Sequence, residues 1–217
     1  IENNNASCSI NHNAIVAGNT NCIFNVSASS IVSGVENEIC SPGSFIGAGR
    51  NNCIHDMGSF SAIAAGRCNW INGGTIVING WQSNFIGSGC CNCLTARQSV
   101  IGGGFKNEIG TGAAPSTSIN TASIIGSGCL NIIMDNGTGN MIGAGIANLI
   151  NSDNGSFIGA GTNNQIQNTI YNGIAGGSGN QILDTSDYSF IGGGQSNHII
   201  ANSNHSFIGG GQDNCAD

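Results

Sequence analysis

Ile46-Gly47-Ala48-Gly49-Arg50-Asn51-Asn52-Cys53-Ile54 is one copy of a phrase, Ile-(small)-(small)-Gly-x-x-Asn-x-Ile, that occurs twelve times. It returns as Ile101-Gly102-Gly103-Gly104-Phe105-Lys106-Asn107-Glu108-Ile109 and as Ile191-Gly192-Gly193-Gly194-Gln195-Ser196-Asn197-His198-Ile199. The phrases begin at Ile15, Ile31, Ile46, Ile63, Ile86, Ile101, Ile125, Ile142, Ile158, Ile174, Ile191 and Ile208. The fourth slot is always Gly. The seventh slot is always Asn: Asn21, Asn37, Asn52, Asn69, Asn92, Asn107, Asn131, Asn148, Asn164, Asn180, Asn197 and Asn214. The ninth is Ile or Leu except for Ala216. A fixed period of this kind marks a solenoid, in which each coil buries its apolar side chains only against its neighbours.

Successive starts lie 15 to 17 residues apart, except for steps of 23 and 24 after Ile63 and Ile101. Those two coils carry insertions near 72–83 and 110–121, both after the ninth slot and so at the same corner of the coil. The period is too short for a helical repeat, which needs over about thirty residues. It fits two short strands and two tight turns, with Ile, Val and Phe favouring strands and Gly and Asn tolerating positive φ. The first strand is expected through Ser44-Phe45-Ile46-Gly47-Ala48, and the second from Asn52 to Ile54. Alternation along a strand then points the first and third slots inward. The third slot holds only Ala, Ser or Gly, so a narrow interior is expected. The Asn column is expected to hydrogen-bond from coil to coil and to close the turn's backbone groups. Twelve coils at about 4.8 Å make a rod roughly 55–60 Å long. The fold expected is all-β, a parallel β-solenoid of about 12 coils, in one domain over 1–217.

Composition narrows the function. The chain has 36 Gly, 2 Pro, 7% charged residues and a net charge of −7, with no break or linker. No basic patch is present, which argues against nucleic acid. No 18-residue apolar run is present, so no membrane span is expected. Of the ten cysteines, Cys68 and Cys91 share the sixth slot of consecutive coils. Stacking would bring their Cα atoms to about 4.8 Å, inside the disulfide range, which makes them a candidate pair. Against that stands the reading of all ten as small, half-buried thiols.

The residue before each first-slot Ile should point away from the core. It is Phe45, Phe85, Val100, Ile124, Met141, Phe157, Phe190 or Phe207 in eight coils. Its same-face neighbour two residues on is Gly in eight coils, and Ala or Val in the rest. An apolar stripe beside a flat glycine track should not be left in water. Either these residues are core, or a second copy covers them in a parallel, in-register homo-oligomer.

The phrase resembles the Ile-Gly-Gly-Gly-x-x-Asn repeats of phage and giant-virus fibre shafts. It is also similar to the β-roll heads of trimeric autotransporter adhesins, most closely at Ser44-Phe45-Ile46-Gly47 and Ser206-Phe207-Ile208-Gly209. The likeness covers roughly residues 13–217. It implies a left-handed β-roll in a homotrimeric fibre at a cell or virion surface. Ile15-Val16-Ala17-Gly18-Asn19-Thr20-Asn21-Cys22-Ile23 is similar to the coils of grass ice-binding β-rolls, which implies an ice-binding alternative. The flat Thr or Ser array that such proteins use is missing: the eighth slot reads Cys, Glu, Cys, Trp, Cys, Glu, Ile, Leu, Gln, Gln, His, Cys.

Enzyme readings are weaker. Hexapeptide acyltransferases place three apolar residues in each coil, whereas this chain places two. The eleven acids are scattered, without the paired carboxylates of a glycosidase. The expectation is therefore a non-enzymatic structural shaft or adhesive segment of an extracellular or virion-surface fibre, without a cofactor. A glycan-binding fibre module is a further alternative. In it the insertions would meet a cell-surface glycan or receptor, with Trp81 available to stack on a sugar.

Overall fold

A computed structural model describes residues 5–6, 12–55, 60–72, 83–110, 122–134, 137–152, 154–200 and 202–217. The chain is a parallel β-solenoid with no helix among those residues. One sheet has 12 strands and carries the first-slot Ile of every phrase; the other has 13 and carries the ninth slot. The strands are mostly two residues long, for example Phe45–Ile46 and Cys53–Ile54, shorter than the repeat alone suggests.

Pairing keeps the phrase in register. Ile46 lies opposite Ile31 and Ile63, and Ile54 opposite Ile39 and Ile71. The long coils do not slip, since Ile63 pairs with Ile86 and Ile101 with Ile125. Residues 73–82, with Trp81, and 111–121 lie outside the described residues.

The core is two facing columns of branched aliphatic side chains, from Ile23 to Ile208, nearly all with no solvent exposure. Ile158 stacks between Ile142 and Ile174 in its column. Close packing makes every methyl count there. Ile158→Ala is expected to cost about 2–5 kcal/mol, read from the shift of the denaturation midpoint in urea. A change within about 0.5 kcal/mol would mean that the column is loosely packed.

The third slot departs from the sequence expectation. Ala17, Ser88, Ser127, Ala160 and Gly210 are exposed there, although Gly103 is buried. Alternation persists only through the short strand, and the chain then bends, so Ser33, Ala48, Ala65, Ala144, Gly176 and Gly193 are half-buried at a corner rather than pointing into the core. The space behind that corner is filled instead by the seventh-slot Asn, which is buried in eleven coils.

The corner itself has two unusual residues. The fourth-slot Gly has positive φ throughout, such as +112° at Gly49, where an added Cβ would stand 2.0 Å from the Gly66 carbonyl oxygen. At the sixth slot, non-glycine residues also take positive φ, among them Asn51, Cys68, Leu130 and Ala147. The flip turns one amide backwards: Asn51 N–H donates to Val35 O in the coil behind, while Arg50 N–H donates to Gly66 O ahead. Left-handed backbone costs an L-residue about 1–2 kcal/mol. That bond to the preceding coil offsets the cost, which explains why the slot is not confined to Gly and Asn.

Candidate oligomer interface

The strands of the 12-stranded sheet set the orientation of the outer row. In each, a buried Ile follows a residue that must face the other way. Phe45, Phe85 and Met141 are each 40% exposed, Phe157 is 37% and Phe207 is 70% exposed. Ile124 is also exposed, while Val100 and Phe190 are half-buried. These residues are therefore not core. They are in register along the sheet, Phe85 beside Val100, Ile124, Met141 and Phe157 in turn. The Phe157 and Phe190 rings lean over Gly173, 6.1 Å apart between centroids, and Phe190 stacks on Phe207 at 6.0 Å.

Where the row is small, at Ala14 and Ser30, the next outward column supplies Val16 and Val32, so the apolar face continues to the first coil. These two outward columns hold twenty-four residues across the twelve coils; Ser30 is the only polar one and none is charged. Roughly 55–60 Å by about 10 Å of uncharged surface results, at the upper limit of what a soluble monomer exposes.

The Asn column runs the length of the roll. Asn52 Nδ2 donates to Ala48 O at 3.2 Å, Gly66 O at 2.9 Å and Asn37 Oδ1 at 3.1 Å. Asn37 Oδ1 also accepts the Asn52 backbone N–H, and this link repeats at every step from Asn21 to Asn214.

A second polar ladder goes beyond what the repeat suggested. The residue two before each first-slot Ile is Ser or Asn in all twelve coils, and most are fully buried. Its oxygen accepts the equivalent N–H of the next coil: Ser99 N donates to Asn84 Oδ1, Ser123 N to Ser99 Oγ, and Ser156 N to Asn140 Oδ1. The signal for it is an eleven-residue phrase beginning Ser/Asn-x-Ile, two residues longer than the nine that carry the Gly and Asn columns.

Cys68 and Cys91 occupy equivalent turn positions, donating their N–H to Arg50 O and Arg67 O respectively, and both are free thiols. Cys91 Sγ lies 3.2 Å from the sulfur of its chain neighbour Cys90. The hydrogen bond from Cys91, then that from Arg67, holds the Cys90 thiol below its ordinary value, while Cys91 is raised.

The outside of the 13-stranded sheet is different in kind. Glu38 and Cys53 are register partners there, with Cys40 and His55 two residues further on, just past the strand ends. His55 Nε2 lies 2.8 Å from Glu38 Oε1, and Cys40 Sγ donates to the same oxygen at 3.3 Å. Burial first, then Glu38, pushes the Cys40 and Cys53 thiols up to about 12. The eighth-slot residues on this face form no regular hydroxyl array.

The fold and these two faces define a class: a parallel β-solenoid with one apolar and one mixed polar flank. No protein-family model matches the chain, and no curated protein matches it. Among the described residues, no helix is long and apolar enough to cross a membrane.

Proposed function

We propose that the chain is a shaft or adhesive segment of an extracellular or virion-surface fibre. In it three copies of a left-handed β-roll run parallel and in register. The observation that carries this is the outer face on which none of twenty-four residues is charged. Each copy covers its neighbour's row from Phe45 to Phe207, and the repeated coil makes identical contacts at each level. The function is mechanical: two buried polar ladders and two Ile columns stiffen the coil, and apolar contacts join the chains. The two insertions are the segments that meet a glycan or receptor, since loops on a rigid scaffold carry recognition.

Phe157→Asp tests this. The position is solvent-accessible in the single chain, so the substitution should leave coil stability within about 1 kcal/mol. Within an apolar interface it buries a carboxylate without a partner, which costs several kcal/mol for each copy. The expected result is dissociation to single chains with an unchanged far-ultraviolet circular dichroism spectrum. An assembly of unaltered mass would show that this face is not the contact.

A further inference from the structure

We propose that Glu38, Cys40, Cys53 and His55 form a binding site for a zinc-like, sulfur-preferring divalent cation on the outer face of the 13-stranded sheet. Glu38 and Cys53 are register partners on adjacent parallel strands, and Cys40 and His55 follow just past the strand ends, where each reaches the Glu38 carboxylate. Ligand atoms of Glu38, Cys53 and His55 all lie within 4.8 Å of one another. Cys40 stands outside that group of three, but its Sγ reaches Glu38 Oε1 at 3.3 Å, so its thiol borders the site as a fourth donor.

A tetrahedral zinc site with bonds of about 2.0–2.3 Å has ligand atoms about 3.3–3.8 Å apart. The Glu38 carboxylate and His55 imidazole are half-exposed, so they are the side chains free to adjust to an ion. The donor set of sulfur, nitrogen and oxygen fits zinc and excludes calcium and magnesium, which take oxygen. A surface ion pair between Glu38 and His55 stabilises little by itself and gives no reason for two thiols beside it. The strand framework is rigid, which holds the group ready for an ion. On binding, each coordinating thiol loses its proton to solvent and the sulfur lone pair fills the metal bond.

The test uses the whole chain, kept reduced, titrated with Co2+ and then Zn2+ alone. One Co2+ per chain is expected, with sulfur-to-cobalt charge-transfer absorption and the visible bands of a tetrahedral ion, both bleached by Zn2+. Cys53→Ser should remove the charge-transfer band or sharply reduce it. His55→Ala, at an exposed position, should weaken Zn2+ by at least the roughly 10–100-fold that loss of a supporting outer-shell group costs. The double variant Cys90→Ser with Cys91→Ser should bind as the parent does. No tetrahedral spectrum, or a spectrum lost only with Cys90 and Cys91, would overturn the assignment. Neither outcome bears on the fibre reading, which rests on the opposite face.

Discussion

Gly161→Ala is expected to lower stability by about 4 kcal/mol or more, a loss in the exceptional range for one substitution. Two effects combine. Gly161 has φ +108°, a region closed to side-chain-bearing residues, and its added Cβ would stand 2.1 Å from Gly177 O and 2.6 Å from Asn164 Nδ2. The near neighbour is backbone, so no side chain can rotate aside. Because a solenoid is held by nearest-neighbour contacts, the damage should uncouple the coils after Gly161 from those before it. Denaturation followed by circular dichroism should show two transitions instead of one. Gly139 supplies the control: its φ is +74°, but nothing lies within 4 Å of an added Cβ. Gly139→Ala should cost only about 1 kcal/mol. Equal losses at the two positions would mean that coil-to-coil approach is not what fixes the fourth slot.

Asn148→Ser is expected to cost about 3 kcal/mol, whereas Asn140→Ser should cost under about 1 kcal/mol. Both residues are buried Asn in a ladder, but their duties differ. Asn148 Nδ2 reaches Ala144 O at 3.2 Å, Gly161 O at 2.9 Å and Asn131 Oδ1 at 3.0 Å. Its Oδ1 also accepts Asn164 N and Nδ2, each at 3.1 Å. A hydroxyl is too short to span these groups and has one proton to donate, so Ala144 O and the Asn164 N–H lose their partner, although Gly161 O keeps the Ile146 N–H. Asn140 Oδ1 accepts Ser156 N, and its Nδ2 donates to Ser152 O. Elsewhere in that ladder Ser does the same work: Ser29 Oγ accepts Ser44 N and donates to Ser41 O. Urea midpoints of the two variants give the comparison directly. Similar losses for both would show that the seventh slot holds no special bonding duty.

Much of the architecture is legible because the repeat reports it twelve times over. The first-slot Ile, fourth-slot Gly and seventh-slot Asn define the coil length, the two sheets and the corner. The step lengths locate the insertions, and the register of the flanking strands runs unbroken from Ile63 to Ile86. Legibility ends at the bends. Inward–outward alternation is a property of extended chain, and a two-residue strand supplies too little of it to orient Ala48 or Ser127. The Ser/Asn ladder is hidden because Ser and Asn are ordinary loop residues; their burial follows from stacking, which a single coil does not display. Leu130 and Cys68 with positive φ are hidden for the same reason, since the compensating hydrogen bond comes from another coil. The grouping of Glu38, Cys53 and His55 also joins two coils and has no spacing signature along the chain.

The apolar outer row is legible from the same alternation, because it lies next to the first-slot Ile, inside the short strand. Its meaning as a contact between molecules is the central claim. Native mass measurement of the intact, reduced chain at micromolar concentration tests it most directly. The expected species contains three chains, each of 21.8 kDa. A lone chain that persists as concentration is raised would contradict it.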